Sequence, residues 1–230
     1  QFVDECSKRW NVPIVWLEYR EADAPADRWH VVDFQSASRN GEPFAELIGR
    51  RRMLPNPVTR FCTSELKIRP MKMYAQQVLK WDWWYVAVGF RADEMQRVAK
   101  LSRPSKQPFD RFAPLAMVDV TKRDVSKFWK MQDFDLALPN IEDVTPHGNC
   151  DLCFLKGGRR IYSLIREGPA RAIWWMEQER RITTGKSAIR TFRSDRPSYA
   201  AMHAAVTGLE PELWDEPEMD IELEDCACTD

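Results

Sequence analysis

The chain has 230 residues, 44% of them hydrophobic and 30% charged, with a formal net charge of −1, ordinary values for a folded globular protein and enough chain for one sizeable core. No apolar run approaches the roughly 18 residues that a membrane-spanning helix needs and no signal-peptide pattern opens the chain, so no membrane partner is expected and the expected compartment is the cytoplasm. The charge is uneven: from Leu209 onward there are ten Asp or Glu and no Lys or Arg, against 34 basic and 25 acidic residues before it, an acidic tail on a basic body.

In chain order, residue 1 is Gln and residues 2–10 already read as amphipathic helix, so the chain is expected to start inside an element, with residues ahead of it missing. PIVWLEY (13–19) reads as a buried strand, WHVVDFQSA (29–37) as a second strand and EPFAELIGRR (42–51) as a short helix. Ser64 reads as the cap of a helix over SELKIRPMKMYAQQVLKW, with Pro70 as its break. WWYVAVGF (83–90) is apolar, β-rich and closed by Gly89, the pattern of a central parallel strand. A helix over 92–101, a basic proline-bearing loop, a strand over 114–120 and a helix in KRDVSKFWKMQ (122–132) follow. Beyond 140 the expected elements are helices at 160–167, 169–182 and 198–206. This alternation predicts an α/β domain with a mainly parallel sheet over 1–139, and a helical, cysteine-bearing subdomain with an acidic tail over 140–230. The ten tryptophans, among them Trp81, Trp83, Trp84 and the Trp174–Trp175 pair, call for either an aromatic core or a stacking surface.

Six cysteines occur: Cys6, Cys62, Cys150, Cys153, Cys226 and Cys228. Cys6 sits among apolar neighbours on the first helix and reads as an ordinary buried thiol. The others fall in three places: RFCTSELK, the C-x-x-C of GNCDLCFLKGG, and a terminal C-x-C. Without secretion a disulfide framework is not expected, and thiolates gathered from distant loops suit zinc or an iron–sulfur cluster, while C-x-x-C alone also suits a redox disulfide. Cys62 precedes a helix start beside Arg60, where a thiolate is favoured. His147, three residues before Cys150, is a substitute ligand at most.

VAVGFRADEMQRVAK (86–100) resembles the G-[IF]-R-x-x-E-[SM]-x-R segment of the phosphoadenylyl-sulfate (PAPS) reductase family. FAPLAMVDVTKRDVSKFWK (112–130) is similar to that family's P-L…D-V-W stretch. RFCTSELKIRPM (60–71) is similar to the R-x-C-[ST]-x-x-L-K-x-x-P segment of its phage and bacterial DNA-modification-like branch, and CDLCFLKG with the terminal cysteines completes the pattern of cluster-bearing members. The resemblance runs in order over roughly residues 1–160, and more loosely through the tail. It implies an adenine nucleotide alpha-hydrolase-like fold, of the ATP-pyrophosphatase superfamily, incomplete at the N-terminus. It also implies an adenine nucleotide (ATP or PAPS) at the sheet edge. A [4Fe–4S] cluster, with zinc as the alternative, would be held by Cys62, Cys150, Cys153 and Cys226 or Cys228, the spare tail cysteine serving as a nucleophilic thiol. Gly89 would end the central strand, Arg91 and Arg97 would pair with phosphate oxygens, Lys67 would add a contact, and Glu94 would orient Arg91 or hold a metal.

Two departures accompany it. No S-G-G-K-D-S-like loop is present; RRITTGKS (180–187) has Arg180 where a Walker A loop needs glycine and follows a helix rather than a strand. The terminus DCACTD lacks the E-C-G-[IL]-H ending of thioredoxin-dependent reductases, which points toward cluster ligation or a persulfide-carrying thiol. The expected activity is sulfur transfer or reduction, with a sulfur- or electron-donor protein as partner. The alternatives are a zinc-stapled binding protein that grips DNA or RNA through GRRR (49–52) and KLSRPSKQPFDR (100–111), or a member of the resembled family without catalysis because its phosphate loop is missing.

Overall fold

The computed structural model describes residues 2–101, 106–139, 145, 147, 148, 150–183 and 191–208. In chain order the elements are α1 (Phe2–Trp10), β1 (Trp16–Glu18), β2 (His30–Val32), α2 (Glu42–Arg51), α3 (Phe61–Thr63), a π-helical turn (Ser64–Ile68) and α4 (Arg69–Gln77). β3 (Trp84–Ala87), α5 (Met95–Leu101), β4 (Phe109–Phe112), α6 (Pro114–Met117), α7 (Lys122–Lys130), α8 (Gly158–Glu167), α9 (Arg171–Thr183) and α10 (Tyr199–Thr207) follow. Among the described residues helices thus combine with two small sheets: β1 and β2 pair antiparallel, Leu17 opposite Val31, while β3 and β4 pair parallel, Trp84 opposite Phe109. Among the described residues no helix is long and apolar enough to cross a membrane.

The chain forms two compact units, neither continuous in sequence: Gln1–Ile14 with Tyr74–Pro146, and Val15–Met73 with His147–Asp230. In the first, the rings of Phe2 and Trp10 on α1 lie 5.3 and 5.9 Å from Trp129 on α7. Thr121 and Asp124 close the front of α7 with a reciprocal capping box. The second unit holds the main core. Ile48 on α2 and the loop residue Leu54 pack with Leu152, Phe154, Ile161, Leu164, Ile165, Trp175, Phe192, Tyr199 and Met202, so residues 15–73 and the C-terminal helices share one interior. Trp175 stacks on Tyr199 at 5.1 Å and Phe154 on Phe192 at 5.7 Å. Gly41 enters α2 with φ +81°, and an added Cβ would stand 2.7 Å from the Trp174 indole nitrogen, so both the backbone and the space demand glycine there.

Several elements differ from the sequence expectation. The strand expected over 114–120 is instead β4 at 109–112, and Pro114 opens a short helix, where a missing N–H costs nothing. The first two strands shrink to three residues each, and Trp16 is exposed rather than buried; Asp33 ends β2 early by accepting the N–H groups of Gln35 and Ser36 in a turn. Ser64 does not cap: it lies inside a continuous helical run and its hydroxyl donates back to the Phe61 carbonyl at 3.2 Å. Pro70 does not end that run, because the wider π-helical turn before it absorbs the missing N–H. β3 is half-exposed, as befits a member of a two-stranded sheet.

Candidate functional site

Two groupings carry chemistry, one in each unit. In the first unit the chain leaves β3 at its carboxyl end through Val88, Gly89 and Phe90. Val88 N–H donates to the Phe112 carbonyl at 2.8 Å and Ala92 N–H to that of Val120 at 2.8 Å, which ties the loop to the end of β4 and to the segment before α7. Glu94 is buried beneath it, 8% exposed. Its carboxylate accepts the Arg91 N–H at 2.9 Å, lies 3.4 Å from the Arg91 guanidinium, and accepts a hydrogen bond from the Arg97 guanidinium. Asp93 takes Arg91 Nε at 3.0 Å and the Lys122 N–H at 3.2 Å. Arg97 also lies over the Phe90 ring, 4.8 Å from its centroid. Glu94 therefore orients both arginines. Nothing lies within 4 Å of where a Gly89 Cβ would stand, so the backbone at the strand's carboxyl end is open to approach, the place where parallel α/β units bind ligands. Arg91, Arg97, Glu94 and Gly89 are thus brought together. Lys67 belongs to the other unit and is exposed on the π-helical turn.

The second grouping is the cysteine loop, 148–158. Cys62, Cys150 and Cys153 all belong to the second unit, and with Cys6 they stand as thiols rather than disulfides. Cys153 is buried, Cys150 exposed and Cys62 half-buried against the cluster that includes Leu152 and Phe154. Cys153 N–H donates to the Cys150 carbonyl at 3.3 Å and Lys156 N–H to the Cys153 carbonyl at 2.9 Å. Leu152, between the cysteines, adopts a left-handed backbone with φ +42°, a conformation that disfavours a branched side chain. Three side chains hold the loop against that strain. Tyr199 donates to the Leu152 carbonyl at 2.5 Å, and Arg196 donates to the carbonyls of Phe154 at 2.8 Å and Lys156 at 2.7 Å. The Lys156 ammonium, on a residue only 2% exposed, donates to the Gly148 carbonyl.

Electrostatics follow from this burial. Removal from water pulls the Arg196 guanidinium below its ordinary value. Burial, with Cys153 and Glu179 nearby, pushes the Tyr199 phenol far above its own despite Arg196. Glu179 accepts the N–H groups of Phe192 at 3.3 Å and Tyr199 at 2.9 Å, and its burial raises its carboxyl above the ordinary range. The helical run that carries Cys62 is anchored by Glu65, 4% exposed, which accepts from Arg51 at 2.7 Å and from Arg69 at 2.7 and 3.1 Å. Burial pushes the Glu65 carboxyl up, but Arg69 and Arg51 outweigh it and hold it below the ordinary range.

Glu65, Lys156, Arg196 and Tyr199 escape sequence reasoning. Nothing in CFLKGGRR marks its lysine as buried, and Arg196 and Tyr199 reach the loop from more than 40 residues away. Cys226 and Cys228, the acidic tail and the second half of RRITTGKS (184–187) lie outside the described residues. Among the described residues no three His, Cys, Asp or Glu side chains converge as a metal site. His147 lies 3.1 Å from Glu167.

No family model matches the chain, and no solved structure matches it. It is similar to a protein of Escherichia phage lambda described as an uncharacterized nin region protein, ORF290: 28% identical over 167 residues, covering 70% of this chain and 53% of the relative. The match thus spans about half the length of that phage protein.

Proposed function

We propose that the chain belongs to an iron–sulfur enzyme similar to the PAPS reductase family, with an adenine nucleotide alpha-hydrolase-like fold. In this reading it binds an adenine nucleotide and carries out sulfur transfer or reduction, with nucleic-acid modification as its setting and a sulfur- or electron-donor protein as partner. The observation that carries the reading is the cysteine loop: a C-x-x-C turn clamped by the side chains of Tyr199 and the half-buried Arg196, with Cys62 packed against the same cluster. Soft thiolate donors with one member buried suit an iron–sulfur cluster. Cys62, Cys150, Cys153 and either Cys226 or Cys228 would hold a [4Fe–4S] cluster, leaving the other tail cysteine as the spare thiol. The cluster would supply a site for binding or reducing sulfur.

The nucleotide would use the first unit's loop. Arg91 and Arg97, oriented by Glu94, have the planar donor geometry that phosphate and sulfate oxygens accept. Gly89 leaves the backbone open there.

The test is iron, zinc and acid-labile sulfide content on protein purified without oxygen. About four irons and four sulfides per chain, reduced together by Cys→Ala changes at 62, 150 and 153, are the expected result. One zinc with no sulfide would overturn the cluster and leave the C-x-x-C as a structural staple of a nucleic-acid-binding protein.

A further inference from the structure

The cysteine loop is built in a way that a pair of metal ligands by itself does not require. Four of its carbonyls, those of Gly148, Leu152, Phe154 and Lys156, are taken by just three side chains: Lys156, Tyr199 and Arg196. Two of these donors come from the segment leading into α10, which the buried Glu179 holds by accepting the N–H groups of Phe192 and Tyr199. Tyr199 is 1% exposed and stacked on Trp175, so its hydroxyl is fixed in place. The left-handed backbone at Leu152 persists because its own side chain is fully buried and its carbonyl is held.

With the carbonyls drawn away, the loop is left rich in donors. The N–H groups of Leu152 and Phe154, residues 0% and 1% exposed, have no acceptor among the described residues. Buried N–H groups without acceptors are rare in folded proteins. The acceptor this loop itself can offer is a cysteine sulfur, and hydrogen bonds from backbone N–H groups to thiolate sulfurs stabilise the charged form and tune a metal–thiolate centre.

We infer that Tyr199, Arg196 and Lys156 are positioning residues that hold the Cys150–Cys153 turn in its ligand-bearing shape before any metal arrives, presenting the loop's N–H groups to the thiolates. This rests on reading Cys150 and Cys153 as metal ligands. A preformed turn avoids paying the ordering entropy of the loop on metal binding, so loss of a clamp lowers metal affinity more than it lowers fold stability.

Two measurements on the full chain test this. The first is amide hydrogen exchange on protein freed of metal by chelation: the amides of Cys153 and Lys156 stay protected, and Tyr199→Phe releases them while the α8 and α9 amides remain protected. Exchange in these amides as fast as in an unfolded peptide, slowed only when zinc is added, would overturn the inference, because the metal would then be what orders the loop.

The second is competition for zinc against a chromophoric chelator. Tyr199→Phe and Arg196→Lys lower zinc affinity by about 10- to 100-fold, the range typical of outer-shell partners. Ile48→Val, in the same hydrophobic cluster, shifts the melting temperature but leaves zinc affinity unchanged. Equal losses of affinity in all three variants would reduce Tyr199 and Arg196 to ordinary core residues and overturn the inference. If zinc and iron both fail to bind, the metal reading falls, while the exchange result on the metal-free protein still reports whether the loop is preformed.

Discussion

Replacing Glu65 by Gln probes the anchor of the helical run that carries Cys62. Glu65 has 5% of its side chain exposed and accepts three bonds from two guanidiniums. Hydrogen bonds involving a charged partner contribute about 1.5–3 kcal/mol each, but Arg51 and Arg69 are 45% and 34% exposed, so solvent screening discounts them. Glutamine keeps the shape and one acceptor, and sets an amide N–H against a guanidinium. The expected loss is about 2 kcal/mol, or about 4–8 °C in melting temperature for a chain of this size.

The acid dependence gives a second readout of the same anchor. The folded carboxyl sits below its ordinary value, so its stabilisation is fully present above the unfolded value of 4.5. That stabilisation is lost as pH falls through the lower, folded value. Thermal unfolding of wild type and Glu65→Gln, followed by circular dichroism at neutral pH and at steps down through pH 4, should show a gap that narrows with acid. A neutral-pH gap below about 0.5 kcal/mol, the range of ordinary surface substitutions, or a gap of constant width at every pH, would refute the reasoning.

Gly41→Ala should cost about 2 kcal/mol from its left-handed backbone and the close Trp174 indole, read as a lower denaturant midpoint with an unchanged slope. Gly89→Ala should leave stability within about 0.5 kcal/mol, since its Cβ meets nothing, yet weaken binding of AMP in calorimetry; unaltered AMP affinity would count against a nucleotide at that loop. Arg91→Ala should weaken AMP binding about tenfold or more, one lost charge-assisted hydrogen bond, with a matching decrease in the salt sensitivity of binding. Glu94→Gln should weaken AMP binding too, by releasing both arginines, and an effect confined to melting temperature would assign Glu94 a purely structural role.

Much of the local structure is legible in the chain itself. The helices at 2–10, 42–51 and 199–207 follow from local periodicity, with Ser198 capping the last, and the turn out of β3 follows from an apolar run ended by Gly89. Likewise the C-x-x-C turn announces its two thiols. What failed was local signal that longer-range contacts override: Ser64 has a capping side chain but lies within a helix that begins at Phe61, and the 114–120 segment is apolar enough for a strand but opens on a proline that cannot join a ladder.

Only tertiary structure decided which distant segments meet. A change of character near residue 140 is visible in composition, but the joining of 15–73 with the C-terminal helices depends on Ile48 and Leu54 meeting Ile161, Leu164 and Trp175. That complementarity of shape leaves no periodic trace. The burial of Lys156, and the reach of Arg196 and Tyr199 to carbonyls 40 to 47 residues away, are likewise properties of the folded interior. Sequence spacing identifies thiols able to ligate a metal; the buried donors that shape their loop are chosen by packing, because a carbonyl's partner is set by distance in space and not along the chain.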